Sequence, residues 1–175
     1  MANHPVRLYF VTPERPMRDV IGGIMMAADN GRVQIRPAKV TDADRIFEML
    51  TEFVTSYRPV REAFDRNFPA LLDSADANLL VADDGELRGY ALALRVPTLY
   101  ANGDLWNLQE LFVDASCRSQ GIGHKLLDAV VDNARLRDAV EVTVVSRRAG
   151  PYYIKHGFVE TASYFKLKLT DSPPP

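Results

Sequence analysis

Two hydrophobic periods run through the chain. Val33-Gln34-Ile35-Arg36 alternates and predicts a strand closed by Pro37. Thr41 and Asp42 then offer N-cap oxygens, and Ile46, Met49, Leu50, Phe53 and Val54 follow at helical spacing. Beyond Pro59 a weaker stripe of Phe64, Phe68, Leu71 and Leu72 predicts a second helix over residues 60–74, kinked or split at Pro69. Residues 78–82 form a short apolar strand, and Asp83-Asp84-Gly85-Glu86 is a hairpin turn. Tyr90, Leu92, Leu94 and Val96 alternate up to Pro97, and residues 105–113 are almost continuously apolar, as in a strand covered on both faces. Ile122, Leu126, Leu127, Val130, Val131 and Ala134 mark a clear amphipathic helix. Val140, Val142 and Val144 mark a further strand, and residues 149–156 a short helix ending at Gly157. Phe158-Val159 and residues 164–169 predict a closing hairpin. The order is β-α-α-β-β-β-α-β-α-β-β, a mixed α/β fold with both sheet faces covered.

Residues 1–31 stand apart. Val6 to Val11 predicts an extra strand ended by Pro13 and Pro16, and Asp29-Asn30-Gly31 is a turn after which the compact domain begins. The domain plan is therefore an N-terminal extension of unassigned role over 1–31, a domain over 32–170 and a flexible tail over 171–175 with three closing prolines. Met17, Met25 and Met26 are alternative starts that the sequence leaves open.

At 175 residues with 47% hydrophobic and 25% charged residues, a single globular domain is expected and a disordered chain is excluded. Lys plus Arg number 21 against 23 Asp plus Glu, a net charge of −2, which argues against a nucleic-acid binder. No apolar run approaches the roughly 20 residues of a membrane span. The single cysteine, Cys117, cannot form an internal disulfide, so a reducing, cytoplasmic location is expected. His4, His124 and His156 are scattered and lack cysteine partners, so no metal site is expected.

The informative stretch is Arg118-Ser119-Gln120-Gly121-Ile122-Gly123, between an apolar strand and an amphipathic helix. Glycines let a ligand approach the main chain, and the first N–H groups of a helix point outward with the positive end of its dipole. That combination is an anion site. No Gly-Lys-Ser/Thr follows, so it is not a Walker loop, and the third glycine of a dinucleotide fingerprint is missing.

Arg118-x-x-Gly121-x-Gly123, preceded by Leu108-Gln109-Glu110-Leu111-Phe112-Val113 and followed by Tyr153-Ile154-Lys155-His156-Gly157-Phe158, resembles the GNAT superfamily of acyl-CoA-dependent N-acetyltransferases over residues 33–169. Ile35-Arg36-Pro37-Ala38 with Asp42-Ala43-Asp44 is similar to that family's first strand and helix. The resemblance implies a mostly antiparallel central sheet with helices on both faces. It implies acetyl-CoA as acyl-donor co-substrate. Main-chain groups of Leu111, Phe112 and Val113 would bond the cofactor arm, and Arg118, Ser119, Gln120, Gly121, Ile122, Gly123 and Lys125 would form the pyrophosphate site. Lys125 or Arg147 would reach the 3′-phosphate. An amine would attack the thioester directly, with Tyr153 protonating the departing thiolate and Glu110 taking the amine proton. Asp104 or a water chain are the alternative bases.

Two positions depart from the family pattern. Gln109 stands where the polyamine and small-amine branch has a glutamate, and strict alternation puts residues 109 and 110 on opposite faces. Ser146 stands where an asparagine often bonds the cofactor arm. Trp106, Tyr100 and Tyr57 are candidates for an acceptor pocket or for core. The implied activity is acetylation of a small-molecule amine such as a polyamine, amino acid or amino sugar. Protein or peptide N-acetylation and a non-catalytic acyl-CoA sensor are the alternatives. No nucleic-acid or membrane partner is expected, and a homodimer is left open.

Overall fold

A computed structural model describes residues 33–53 and 57–169. The expected segments at 6–11 and 1–31, the tail at 171–175 and Val54 lie outside the described residues.

The sheet has five strands in the order β1-β2-β3-β4-β5, with β1 Gln34–Pro37, β2 Ala77–Asp83, β3 Leu87–Pro97, β4 Asp104–Val113 and β5 Glu141–Val144. β1 to β4 pair antiparallel with their neighbours, and β5 joins β4 in parallel. A parallel neighbour requires a crossover, and α3, Ile122–Arg135, supplies it. α1, Ala43–Phe53, and α2, Arg61–Asp73, cover one face of the sheet. α3 and the short α4, Gly150–Lys155, cover the other.

Small residues on the α3 face let that helix settle closely. Ala82, Ala91 and Ala93 are fully buried there with Leu126 and Val130. Val81, Tyr90 and Phe112 turn to the α1/α2 face with Ile46, Met49 and Phe68. At the end of β1 Asp42 accepts Lys39 N–H at 2.7 Å and the forked guanidinium of Arg36 at 2.7 and 3.0 Å, while Arg36 also reaches Asp83 at 2.8 Å. Burial pushes the Asp42 carboxyl up, but the Arg36 and Lys39 hydrogen bonds and charges outweigh it and hold the group below its ordinary value.

Two expectations are corrected. Pro69 does not split α2, which runs through it as one helix. Pro69 and Asp65 lie on the exposed side, so the carbonyl freed by the missing N–H faces water. The closing hairpin is also absent: residues 158–169 form no strand and are largely exposed, with Phe165 and Leu169 both at 89%. Period-two alternation becomes a strand only against a paired edge, and no residue of this segment makes a main-chain ladder among the described residues.

Candidate active site

β4 outruns its neighbour. Its pairing with β5 ends at Leu108–Val144, while its pairing with β3 continues through Val113–Gly89. Asp114 N–H donates to Arg88 O at 2.8 Å. In an antiparallel ladder this fixes every second residue as the one bonded across, so Glu110 and Phe112 direct their main chain to β3. Leu111 and Val113 turn theirs to the outer edge, which no strand among the described residues pairs. Phe112 is thus the exception among the three residues expected to bond a cofactor arm: its main chain serves β3 and its ring lies in the α1/α2 layer. Arg118 Nε donates to the Val113 carbonyl at 3.1 Å, and its guanidinium stands 6.0 Å from the centre of the Phe112 ring.

A bulge sits at the mouth of this edge. Leu92 pairs with Glu110 and Ala93 with Leu108, so Gln109 is an extra residue in β4. Before it, Trp106 and Leu108 face α3; after it, Leu111 and Val113 do. Strict alternation therefore fails here. The insertion turns Glu110, with Phe112, to the α1/α2 face.

The loop after β4 ends in the uncapped start of α3. Asp114 accepts from Ser116 N–H at 3.1 Å and is bound by Arg45 Nη2 of α1 at 2.7 Å. Ser119 has φ 64° and Gly121 φ 81°. None of the main-chain N–H groups from 119 to 124 donates to a protein acceptor among the described residues, and Gly121 offers no side-chain cap. These orphan donors and the helix dipole favour an anion.

The two glycines serve different ends. A Cβ at Gly121 would meet nothing within 4 Å, so that position is open and demands glycine for its left-handed φ. A Cβ at Gly123 would stand 3.3 Å from the Tyr152 hydroxyl and 3.6 Å from Val113 Cγ2. Gly123 lets α4 approach α3 rather than a ligand. Ile122 is core at 3% exposure, and Gln120 Nε2 reaches back to Ser116 O at 3.3 Å. The Lys125 amide closes the first turn on Gly121 O at 3.0 Å and its ammonium lies 3.5 Å from Val33 O, so neither joins the orphan donors.

Tyr153 and Glu110 lie on opposite faces of the sheet. Tyr153 is 9% exposed in the α3/α4 layer, edge-on to Phe158 and Tyr152. Burial, helped by Tyr152, pushes its phenol up to about 12, so it carries its proton at neutral pH. Glu110 is half-buried on the other face and accepts from the Tyr90 hydroxyl at 2.9 Å. Burial raises its carboxyl above the ordinary value, and the Tyr90 hydrogen bond pulls it partly back. The open edge of β4 separates the layers that carry these two groups.

Other candidates fall elsewhere. Asp104, the alternative base, is bound by Arg95 at 2.6 Å and, at about 3.3 Å per residue, stands roughly 20 Å down the strand from Glu110. Ser146 Oγ accepts the Ala149 N–H at 3.0 Å and so shapes the approach to α4. Trp106 is core at 1% exposure with Arg137 over its ring. Tyr100 and Arg147 are exposed, and Tyr57 holds Lys166 Nζ 4.4 Å from its ring centre. His124 and His156, scattered along the sequence, meet with ring centres 4.6 Å apart and planes tilted by 48°, beside a cavity of about 520 Å³ between α3 and α4. Tyr90 was not singled out by the sequence; the polar pair Gln109-Glu110 inside an apolar strand was the available signal.

Comparison with known proteins places this geometry in a family. The family description "Acetyltransferase (GNAT) domain" matches residues 39–168. Glucosamine 6-phosphate N-acetyltransferase 1 of Oryza sativa subsp. japonica is 28% identical over 155 residues, covering 84% of this chain and 94% of that protein. An uncharacterized N-acetyltransferase of Bacillus subtilis is 27% identical over 142 residues, covering 75% and 93%. Among solved structures, a transcriptional regulator from Bacillus halodurans C-125 superposes with a TM-score of 0.72 at 22% identity, covering 79% of this chain and 100% of the other. Glucosamine-6-phosphate N-acetyltransferase from Arabidopsis thaliana gives 0.70 at 17%, covering 79% and 99%. With the family match spanning most of its length and the same fold in its structural neighbours, the chain belongs to the GNAT family of acetyltransferases.

Proposed function

We propose that this protein transfers the acetyl group of acetyl-CoA to a primary amine on a small molecule. The observation that carries the reading is the outer edge of β4, left without a strand partner among the described residues beyond Leu108 and running toward the uncapped start of α3. The residues present fit such a donor. Leu111, with its N–H and carbonyl, and Val113, with its N–H, offer main-chain groups to an extended, amide-bearing arm, as a neighbouring strand would receive them. The N–H groups of residues 119–124 and the open surface over Gly121 suit a diphosphate. A main-chain N–H on the β4 edge would polarise the thioester carbonyl. When bound, acetyl-CoA supplies an acyl group already activated as a thioester.

The chain's own residues then divide the proton work. A lysine-like amine has a reference pKa near 10.4 and must lose a proton before its lone pair can form the new C–N bond. Glu110, with its raised carboxyl, accepts that proton from the α1/α2 side. As the C–S bond breaks, Tyr153 donates to the sulfur from the α3/α4 side. The products are an amide and a free thiol. No helix among the described residues is long and apolar enough to cross a membrane.

Amino sugars and their phosphates are the first acceptors to try, because the rice relative is named for glucosamine 6-phosphate. Lys166, over Tyr57, and Lys168 place positive charge beside the α1–α2 junction, which favours an acceptor bearing an anionic group. The test is thiol release from acetyl-CoA across polyamines, amino acids, amino sugars, their phosphates and peptides, with Tyr153→Phe beside the wild type. Release with a small amine is expected, slowed about 100-fold in Tyr153→Phe while the coenzyme A Kd stays within about twofold. Release with peptides alone points to protein acetylation, and tight coenzyme A binding with no release anywhere points to a sensor module. Either result overturns the reading.

A further inference from the structure

Among the described residues Tyr90 is the phenol that hydrogen-bonds Glu110, and three independent observations bring the two together. Tyr90 is 1% exposed, so its ring is fixed by packing, with Phe112 tilted beside it at 6.2 Å. Its hydroxyl donates to Glu110 Oε2 at 2.9 Å. The extra residue Gln109 sets the phase of β4 that turns Glu110 toward Tyr90 at all. A buried tyrosine hydroxyl needs an acceptor, and here the sequence supplies it through an irregularity in the strand rather than a regular ladder position.

We propose that Tyr90 is a positioning residue for acetyl transfer: its hydroxyl fixes one oxygen of Glu110 and keeps the carboxylate ready to take the amine proton on the other. This rests on the role given to Glu110 above. Oε1 has no protein partner among the described residues, which leaves that oxygen for the incoming amine. Burial disfavours the charged form that a base needs, and the hydrogen bond from Tyr90, which favours that form, offsets part of this. Tyr90 remains a donor throughout, since burial and the neighbouring carboxylate keep its own proton firmly bound. Four arginines of the surrounding elements are engaged elsewhere. Arg45 of α1 pairs with Glu48 and Asp114, Arg61 of α2 with Asp44 and Asp65, Arg88 of β3 with Asp84 and Glu86, and Arg118 is held at the Val113 carbonyl.

The test is a carboxyl carbon-13 titration of Glu110 in the full chain, alongside pH–rate profiles with glucosamine 6-phosphate and spermidine as probe acceptors. Tyr90→Phe keeps the ring and its burial. Its Glu110 midpoint is expected to rise by about one pH unit, since a hydrogen bond to a charged group is of that strength. The acid limb of kcat should move with it, lowering kcat by about tenfold at pH values on that limb and little on the plateau, with KM for the amine within about twofold. A 3-fluorotyrosine at position 90, a stronger donor of nearly the same shape, should move the midpoint and the limb the opposite way. A midpoint unmoved in both variants overturns the role of Tyr90 alone. A midpoint that moves while the rate limb stays fixed overturns Glu110 as the base and the role of Tyr90 with it.

Discussion

The two halves of β4 share one strand and do different work. From Leu105 to Leu108 it is zipped on both edges, to β3 and to β5, and its side chains serve packing. Trp106 and Leu108 are core, and Asn107 reaches across to Thr143 Oγ1 at 2.8 Å. From Gln109 to Val113 one edge is open, an extra residue breaks the alternation, and a half-buried carboxylate sits where an apolar side chain would pack better. Uniform pairing maximises burial and leaves no free main-chain groups. The half that forgoes a neighbour leaves the Leu111 main-chain groups without a strand partner among the described residues. Burying an acid there costs stability, and local rules of packing are most often broken in this way at functional positions.

The sharpest way to break the contrast is to truncate each half. Trp106→Ala is expected to cost about 4 kcal/mol in urea unfolding, the usual loss for a large buried aromatic. Gln109→Ala, in the exposed bulge, should stay within about 0.5 kcal/mol. Equal losses would show that the two halves are not specialised.

Next in size is Glu110→Gln, expected to slow acetyl transfer by about 10² to 10³-fold. It also carries a stability signature of definite sign. A carboxyl whose folded-state pKa is raised holds a proton that the unfolded chain releases, so its contribution is fully present below the unfolded value and is lost as pH rises through the folded one. Thermal melts of Glu110→Gln should therefore gain on the wild type at pH 8 relative to pH 4. A difference that stays flat with pH would mean Glu110 is not held in an unfavourable environment.

The smallest effect is expected at Ser146→Ala. It removes one hydrogen bond before α4, worth about 0.5–1 kcal/mol by urea unfolding, and leaves the coenzyme A Kd within about twofold by calorimetry. A tenfold loss of affinity would restore Ser146 to the ligand site.

Much of this was legible in the letters. The stripe from Ile122 to Ala134, the alternation of β3 and the Gly121-x-Gly123 turn each state a local rule that the fold obeys, because period and backbone φ are properties of short segments. What escaped depends on pairing across the sheet. The bulge at Gln109 exists only relative to β3, and the length of β5 decides where the β4 edge opens. The alternation at 164–169 was read as a strand because nothing in the segment reveals whether an edge will receive it. The two glycines look alike in sequence, and only the nearness of Tyr152 separates a packing role from an open one.

The single inserted residue at position 109 has a practical corollary for anyone transplanting this motif. Copying the letters of 108–113 into a scaffold whose strand lacks that insertion would deliver the acid to the wrong layer, against α3 and away from its phenol. A graft should therefore carry the matching stretch of β3 as well, because the handedness of the chemistry is written in the offset between two strands.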